Sequence, residues 1–268
     1  LMISFARTQV GSPPYTWLLE YVDGAFSLKL NLGNYAALVK DSQYVLAYLS
    51  SIKIAVISTL LTLLIGYPMA YVISRMSPSA RNIAMMLVVL PSWTSFLIRV
   101  YAWIGILKNN GLLNNLLMKI GIIDEPLQIL YTPLAAYIGI VYCYLPFMVL
   151  PLYTNLVKHD HRLLEAAYDL GAKPWKAFFT ITLPLLANTL LFSAVIAIIN
   201  AVQVFEPVAL ITQGGPGSAS ETINIFLYLQ AFAFYNVGYA SAVVVVFFVI
   251  ILALAALLLW TRQRVKMT

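Results

Sequence analysis

EAAYDLGAKPWKAFFTITLP, Glu165 to Pro184, is a polar stretch set between two long apolar runs. It carries both charge signs, and it contains its own stop signal. Leu163, Leu164, Ala167 and Leu170 recur at helical spacing, so His161 to Leu170 is expected to form a short amphipathic helix. Gly171 can take the left-handed conformation that ends such a helix, and Pro174 prevents its continuation. Ala166 and Ala167 keep one face thin enough to enter another protein's groove, and Glu165 offers that partner a charge. The stretch therefore reads as a docking helix presented by a membrane protein. The plainer alternative is a loop that merely joins two spans, as most polar inter-span segments do.

Working outward, composition sets the class. Hydrophobic residues make up 62% of the chain, charged residues 10%, and the mean hydropathy is +0.87. Soluble domains carry about 25% charged residues, so this is an integral membrane protein. At 268 residues it has room for five or six helices in one domain. The net charge of +6 does not argue for nucleic acid, because the basic residues sit at the ends of apolar runs. The single cysteine, Cys143, lies inside such a run, so a disulfide framework is excluded.

Residues 1–48 are mixed, punctuated by Pro13-Pro14, Gly24 and Gly33, and hold no run long enough to cross a bilayer. They are expected to form a water-exposed segment with one or two short interfacial helices, such as Tyr35 to Leu49. Residues 49–268 form the membrane domain. Ile54 to Ser74 lacks any charge and is the first span, since a crossing needs about 20 apolar residues. Gly66 and Pro68 interrupt it, a kink that neighbouring helices tolerate. Asn82 to Leu107 is the second span, with Pro91 at its middle, and a short surface helix follows within Gly111 to Ile123. The third span lies within Pro133 to Leu156 and is expected to be broken by Pro146 and Pro151. The docking loop covers residues 157–183. The fourth span runs Pro184 to Ile211, with proline at its start where the missing N–H does no harm. The Gly-rich turn Thr212 to Glu221 and a short outer helix over Thr222 to Tyr235 lead to the fifth span, Val237 to Trp260.

Charge bias sets an orientation. With the docking loop in the cytoplasm, that side holds Arg75, Arg81, Lys158, Arg162, Lys173, Lys176, Arg262, Arg264 and Lys266, against only Lys108 and Lys119 in the outer loops beyond the first span. Residues 1–48 then lie outside and the C-terminus inside. An external segment with no signal peptide needs an earlier span to deliver it, so a sixth span is expected ahead of Leu1.

Glu165-Ala166-Ala167, then Gly171, then Ile181-x-Leu183-Pro184 resembles the EAA loop of bacterial ABC-importer permeases. The resemblance implies an all-α, polytopic helix bundle of the type I importer permease fold. It also implies that Glu165, Ala166, Ala167, Gly171, Ile181 and Pro184 couple this chain to a separate cytoplasmic ATPase, which holds the ATP and Mg. No cofactor is expected on this chain. The other implied partners are a second permease, paralogous by resemblance, and an external substrate-binding protein, within the bacterial inner membrane. Strings such as LPSWTSFLIRVYAW (Leu90 to Trp103), LKNNGLLNN (Leu107 to Asn115) and YLPFMVLPLY (Tyr144 to Tyr153) resemble the putrescine and spermidine importer permeases over residues 30–180 or so. Phe205 to Ala242 instead resembles carbohydrate-importer permeases, with a Gly-Gly-Pro turn and a Gly-Tyr-Ala-Ser-Ala start to the last span. The chain reads as a mosaic, polyamine-like through the loop and sugar-like after it.

Candidate pathway residues follow from cost. A charge at membrane depth costs about 2.5–3.5 kcal/mol on insertion scales, and Glu206 and Arg99 bear that cost. Glu206 is expected to contact a cationic polyamine or a sugar hydroxyl, or to be an interfacial acid at a helix end. Arg99 pairs with Glu206 or a backbone carbonyl, or snorkels to the outer interface. Trp93, Tyr101 and Phe205 suit cation–π or sugar stacking, and equally an interface belt. Asn200 and Gln203 face the pathway or bond between helices. His159 and His161 have no third ligand nearby, so no metal site is expected. A membrane enzyme would need paired acids or a nucleophile with its base at depth, and a receptor would need a soluble signalling domain; the sequence offers neither.

Overall fold

The computed structural model describes residues 1–9, 11, 13–22, 25–160 and 162–265. Gly24, His161 and Lys266, each used in the sequence reading, lie outside the described residues. A 3-10 turn, Met2–Phe5, opens the chain, followed by an antiparallel hairpin of β1 (Leu19–Val22) and β2 (Ala25–Leu28), with Leu19 opposite Leu28. This hairpin was not expected in an all-α chain. It is confined to the N-terminal segment, and the remainder is a helix bundle.

The helix expected over Tyr35 to Leu49 is two helices. α1 spans Gly33–Lys40 and α2 spans Ser42–Arg75. The break falls at Asp41, whose extended backbone and side chain cap α2 by accepting from the Gln43 N–H at 2.9 Å. α2 is therefore longer than the uncharged run suggested, and it continues as helix through Pro68. Its buried residues include Ala47, Ser51, Ala55, Ser58, Thr62, Gly66, Ala70 and Ser74, a stripe of small side chains at three- and four-residue spacing. Such a stripe lets backbones approach in a membrane bundle. A Cβ on Gly66 would meet Met148 Cγ at 3.0 Å. α6 (Pro133–Leu156) lies along that stripe, and the two helices form the most extensive pairing in the molecule.

The expected second span is not one helix. α3 (Pro78–Val89) passes into a 3-10 turn at Leu90–Trp93, and α4 (Phe96–Leu107) leaves at 96°, continuing toward α5 (Leu112–Lys119). Ser92 Oγ donates to the Val89 carbonyl and Thr94 Oγ1 to the Pro91 carbonyl, so side chains take acceptors that a continuous helix would use. α6 matches its expected bounds, but the breaks expected at Pro146 and Pro151 are absent: the helix runs through both, held between α2 and α9.

The loop side of the molecule holds α7 (Arg162–Asp169) and α8 (Pro174–Ala177). α8 runs through a π-helical turn, Phe178–Thr182, into α9 (Leu183–Val202), so the fourth span begins at Pro174 rather than Pro184. Pro184 sits inside this longer helix, where its ring would crowd the carbonyl four residues back. The widened turn before it relieves that crowding. The span ends at Val202, not Ile211; α10 (Glu206–Ile211) is a separate short helix beyond a break at Gln203. α11 (Ile223–Tyr228), extended by a π turn at Leu229–Ala233, precedes α12 (Val237–Val265).

Among the described residues, four helices are long and apolar enough to cross a membrane, and the total is five if the bent pair is counted as one span. On the side opposite the loop, Ala47, Ala55, Ala201, Val202, Phe226 and Val243 form one core cluster. On the loop side, Ala70, Ile73, Met148, Leu152 and Leu186 form another. Gly238 allows the N-terminal segment to sit on α12, since a Cβ there would meet the Ala6 carbonyl oxygen at 2.7 Å. Tyr239 of α12 donates its hydroxyl to Asp41 Oδ2 at 2.5 Å, so Asp41 caps α2 with one oxygen and holds α12 with the other.

Candidate functional site: an exposed loop helix and an acid at a helix start

α7 is amphipathic, yet none of its residues is buried. Leu163 and Tyr168 are about half exposed, and Leu170 is 89% exposed. Within this chain α7 packs chiefly against α8. Its ends are held locally. Asp160 Oδ1 accepts from the Arg162 N–H at 3.0 Å at the start. At the end, the Ala172 N–H reaches the Ala167 carbonyl at 2.9 Å and the Gly171 N–H reaches the Tyr168 carbonyl at 2.8 Å. This is the Schellman pattern, with Gly171 left-handed at φ +78°. The stop expected at Gly171 is therefore present; the cap Asp160 was missed, although an Asp two residues ahead of a helix is a readable signal.

Glu165 and Ala166 are exposed on α7, and Ala167 is half-buried. Ile181, half-buried, lies in the π turn, and Pro184, exposed, lies in the first turn of α9. The six expected coupling residues thus fall in two groups, four on the helix and its cap and two on the root of the fourth span. That root is tied to the third span. Asn155 Nδ2, in the last turn of α6, donates to Thr189 Oγ1 of α9 at 2.6 Å.

At the other end of the fourth span, the structure gathers part of the expected pathway set. Asn200 is half-buried in the closing turns of α9, Gln203 is exposed in the break, Phe205 is half-buried, and Glu206 is exposed in the first turn of α10. The Gln203 carbonyl accepts from Asn224 Nδ2 at 2.6 Å. Phe205 packs against the Tyr228 ring at 5.5 Å, which packs on Phe232 at 5.4 Å. Glu206 is therefore not an acid within a helix span but an acid at a helix start, favoured there by the helix dipole. Cys143 and Tyr144 lie within electrostatic reach of both Glu206 and Arg99. Arg99 makes no ion pair with Glu206 among the described residues. Its guanidinium stands 5.1 Å from the Phe96 ring centre, and its buried Nε has no partner. Trp93, 78% exposed, and Tyr101, 59% exposed, are on the bent pair, and among the described residues no ring contact joins either to Phe205, Tyr228 or Phe232. Tyr228 and Phe232 do; the FLYLQAF string carried them as an aromatic i, i+4 pair.

The turn that follows is knitted inward. Ser220 Oγ lies 2.5 Å from the Gly215 carbonyl oxygen and 2.9 Å from Thr212 Oγ1, with one proton to share between the two. Thr222 Oγ1 donates to the Val204 carbonyl at 3.3 Å, and Ser51 Oγ of α2 accepts from the Ile223 N–H at 2.7 Å. Burial raises the Glu221 carboxyl above the usual carboxylate range. Among the described residues, no group of three or more His, Cys, Asp or Glu is placed to hold a metal.

Residues 47–267 match the family described as binding-protein-dependent transport system inner membrane component. The chain is 39% identical over 180 residues to the spermidine/putrescine transport system permease protein PotB of Haemophilus influenzae, an alignment covering 67% of this chain and 63% of that protein. It thus spans just under two thirds of that relative's length. It is 28% identical over 214 residues to the trehalose/maltose transport system permease protein MalF of Thermococcus litoralis, covering 78% and 70% of the two chains. Among solved structures it resembles a chain of a bacterial ABC transporter involved in import of the acidic polysaccharide alginate. There the TM-score is 0.69 at 22% identity, with 88% of this chain and 84% of that one covered. The likeness extends to the fold of ABC-importer permeases, as the loop motif implied.

Proposed function

This chain belongs to the family of binding-protein-dependent transport system inner membrane components, and from that membership we propose that it is the membrane-spanning permease subunit of an ATP-driven importer of polyamines. It performs no covalent chemistry. The observation that carries the reading is α7, an amphipathic helix held rigid at both ends with no buried residue of its own. An apolar face left uncovered on a rigid helix calls for a partner. In this proposal that partner is a cytoplasmic ATPase subunit holding ATP and Mg, and Glu165, Ala166 and Ala167 enter its cleft. Motion of the ATPase pair then passes through Gly171 and the Pro184 root to the spans, and the pathway alternates between an external binding protein and the cytoplasm. A second permease, a paralogue, completes the pathway. The loop side and the C-terminus face the cytoplasm, in keeping with the basic residues on that side.

For the substrate, the identity to the Haemophilus protein supports a polyamine. The exposed Glu206 beside Phe205, Tyr144 and Tyr228 supplies an anion and aromatic faces for an ammonium chain. A carbohydrate importer is the second reading, favoured by the 205–242 string and by the likeness to MalF. Detergent-purified protein is expected to co-purify with an ATP-hydrolysing subunit, and its reconstituted complex to take up labelled putrescine in competition with spermidine. Uptake of maltodextrin but not putrescine replaces the substrate class. Absence of any ATPase partner removes the transporter reading itself. Labelling of an Ala166→Cys variant by a membrane-impermeant thiol reagent from outside intact cells would contradict the orientation.

A further inference from the structure

A cavity of about 400 Å³ opens between α6 and α9 on the loop side, beside the Asn155–Thr189 bond. Its polar groups have a one-sided inventory. Asn155 is the donor to Thr189 Oγ1, so the Thr189 hydroxyl proton is left to point elsewhere. Lys158 and Asn188 line the cavity, and neither side chain has a hydrogen bond or ion pair among the described residues. No carboxylate lines it; its other wall is apolar, made by Pro151 and Phe192. The cavity therefore presents one fixed positive charge, several spare donors and a hydrocarbon face. A polyammonium substrate, which is itself cationic and only donates, meets a like charge there. An anionic amphiphile meets complementary groups.

The height of the cavity fits the same occupant. Lys158 stands two residues beyond the end of α6 at Leu156, the level at which basic side chains reach the headgroups of a bilayer. Basic pockets between membrane helices on the cytoplasmic side hold anionic lipid headgroups. We propose that this cavity is a binding site for an anionic glycerophospholipid, its phosphate on Lys158, Asn188 and Thr189 and an acyl chain against Pro151 and Phe192. The site borrows only its leaflet from the orientation proposed above. A lipid seated there braces the third and fourth spans where the coupling loop leaves and rejoins the membrane.

The test is native mass spectrometry of the full chain, purified in detergent and exposed to phosphatidylglycerol or to phosphatidylcholine with the same acyl chains. Retention of phosphatidylglycerol is expected to exceed that of phosphatidylcholine by about fivefold, the ratio one lysine near an anionic surface supplies. Lys158→Gln is expected to bring the two lipids level, and Asn188→Leu to lower phosphatidylglycerol retention with the charge still present. Circular dichroism establishes that each variant keeps its helix content, and Asn188→Leu carries the test if Lys158→Gln does not fold. Equal retention of the two lipids by the wild type would overturn the site. So would selectivity untouched in the variants, or displacement of the lipid by millimolar inorganic phosphate, which marks a free-anion site instead. No transport is measured, so this outcome is independent of whether the chain imports polyamines.

Discussion

Two polar stretches flank the fourth span, and they are built in opposite senses. The stretch before it, residues 157–173, turns its groups outward: α7 has no buried residue, and the hydrogen bonds at its two ends stay within the loop. The stretch after it, residues 203–222, turns inward. Thr212, Ser220 and Thr222 are all buried, and the first residue of α11 is bonded to α2, far away in sequence. Polar composition alone does not separate them. What separates them is the destination of their hydrogen bonds: the first satisfies itself locally and leaves a face unused, the second commits its groups to holding the bundle together. On the proposed reading the first meets another molecule, whereas the second holds this one together.

That contrast predicts that damage to the first stretch costs transport and damage to the second costs stability. The largest effect is expected from Gly171→Leu and Glu165→Ala, which should abolish uptake while leaving the protein in the membrane at normal amounts. A side chain at the left-handed Gly171 costs about 1–2 kcal/mol and undoes the stop of α7. Vesicle uptake set against quantified membrane protein measures this, and full uptake by both variants would erase the contrast. Next, Ser51→Ala removes the acceptor of the Ile223 N–H and should cost about 1–3 kcal/mol. A lower thermal midpoint in detergent, with residual uptake per folded molecule intact, is the expected pattern. Asp160→Ala should cost about 1 kcal/mol, but only to α7. Amide exchange should quicken over Arg162–Asp169 with the global midpoint unmoved; a shifted midpoint would mean that the loop is not autonomous.

The smallest effect concerns pH. The folded Glu221 carboxyl titrates above its ordinary value of 4.5 because burial penalises the charged form. The folded state therefore holds this proton more tightly than the unfolded state, and the stability it contributes is lost as pH rises through the raised value. Glu221→Gln should be the more stable protein at neutral pH, the difference fading below about pH 4.5. Parallel melting curves of the two proteins across that interval measure it, and a constant difference would place the carboxyl in ordinary solvent.

Much of the first stretch was legible because its signals are local: apolar spacing at Leu163, Leu164 and Ala167, then Gly171, then Pro174. The span boundaries were less so, because a proline alone does not decide whether a helix ends. Pro91 marks a 96° bend, whereas Pro146 and Pro151 lie in an unbroken helix. The difference is packing. α6 is pressed between α2 and α9, which hold it straight, whereas α3 buries none of its residues. Pro184 misled in the opposite direction, looking like a helix start while a π turn carried the helix past it. At the candidate pathway, the local group Asn200, Gln203, Phe205 and Glu206 was legible as one segment. Trp93 and Tyr101 were assigned by residue type, and they lie on the two sides of the bend rather than in that segment.

Asp41 has one carboxylate and two duties, starting α2 and gripping Tyr239. α2 and α12 are thereby pinned to each other on the face away from the loop, where Ala47, Ala55 and Val243 also share one core cluster. A bundle pinned at one corner cannot part there; it can only swing about the pin. On the proposed reading, a tilt imposed from the loop side would then be expressed as separation away from that corner.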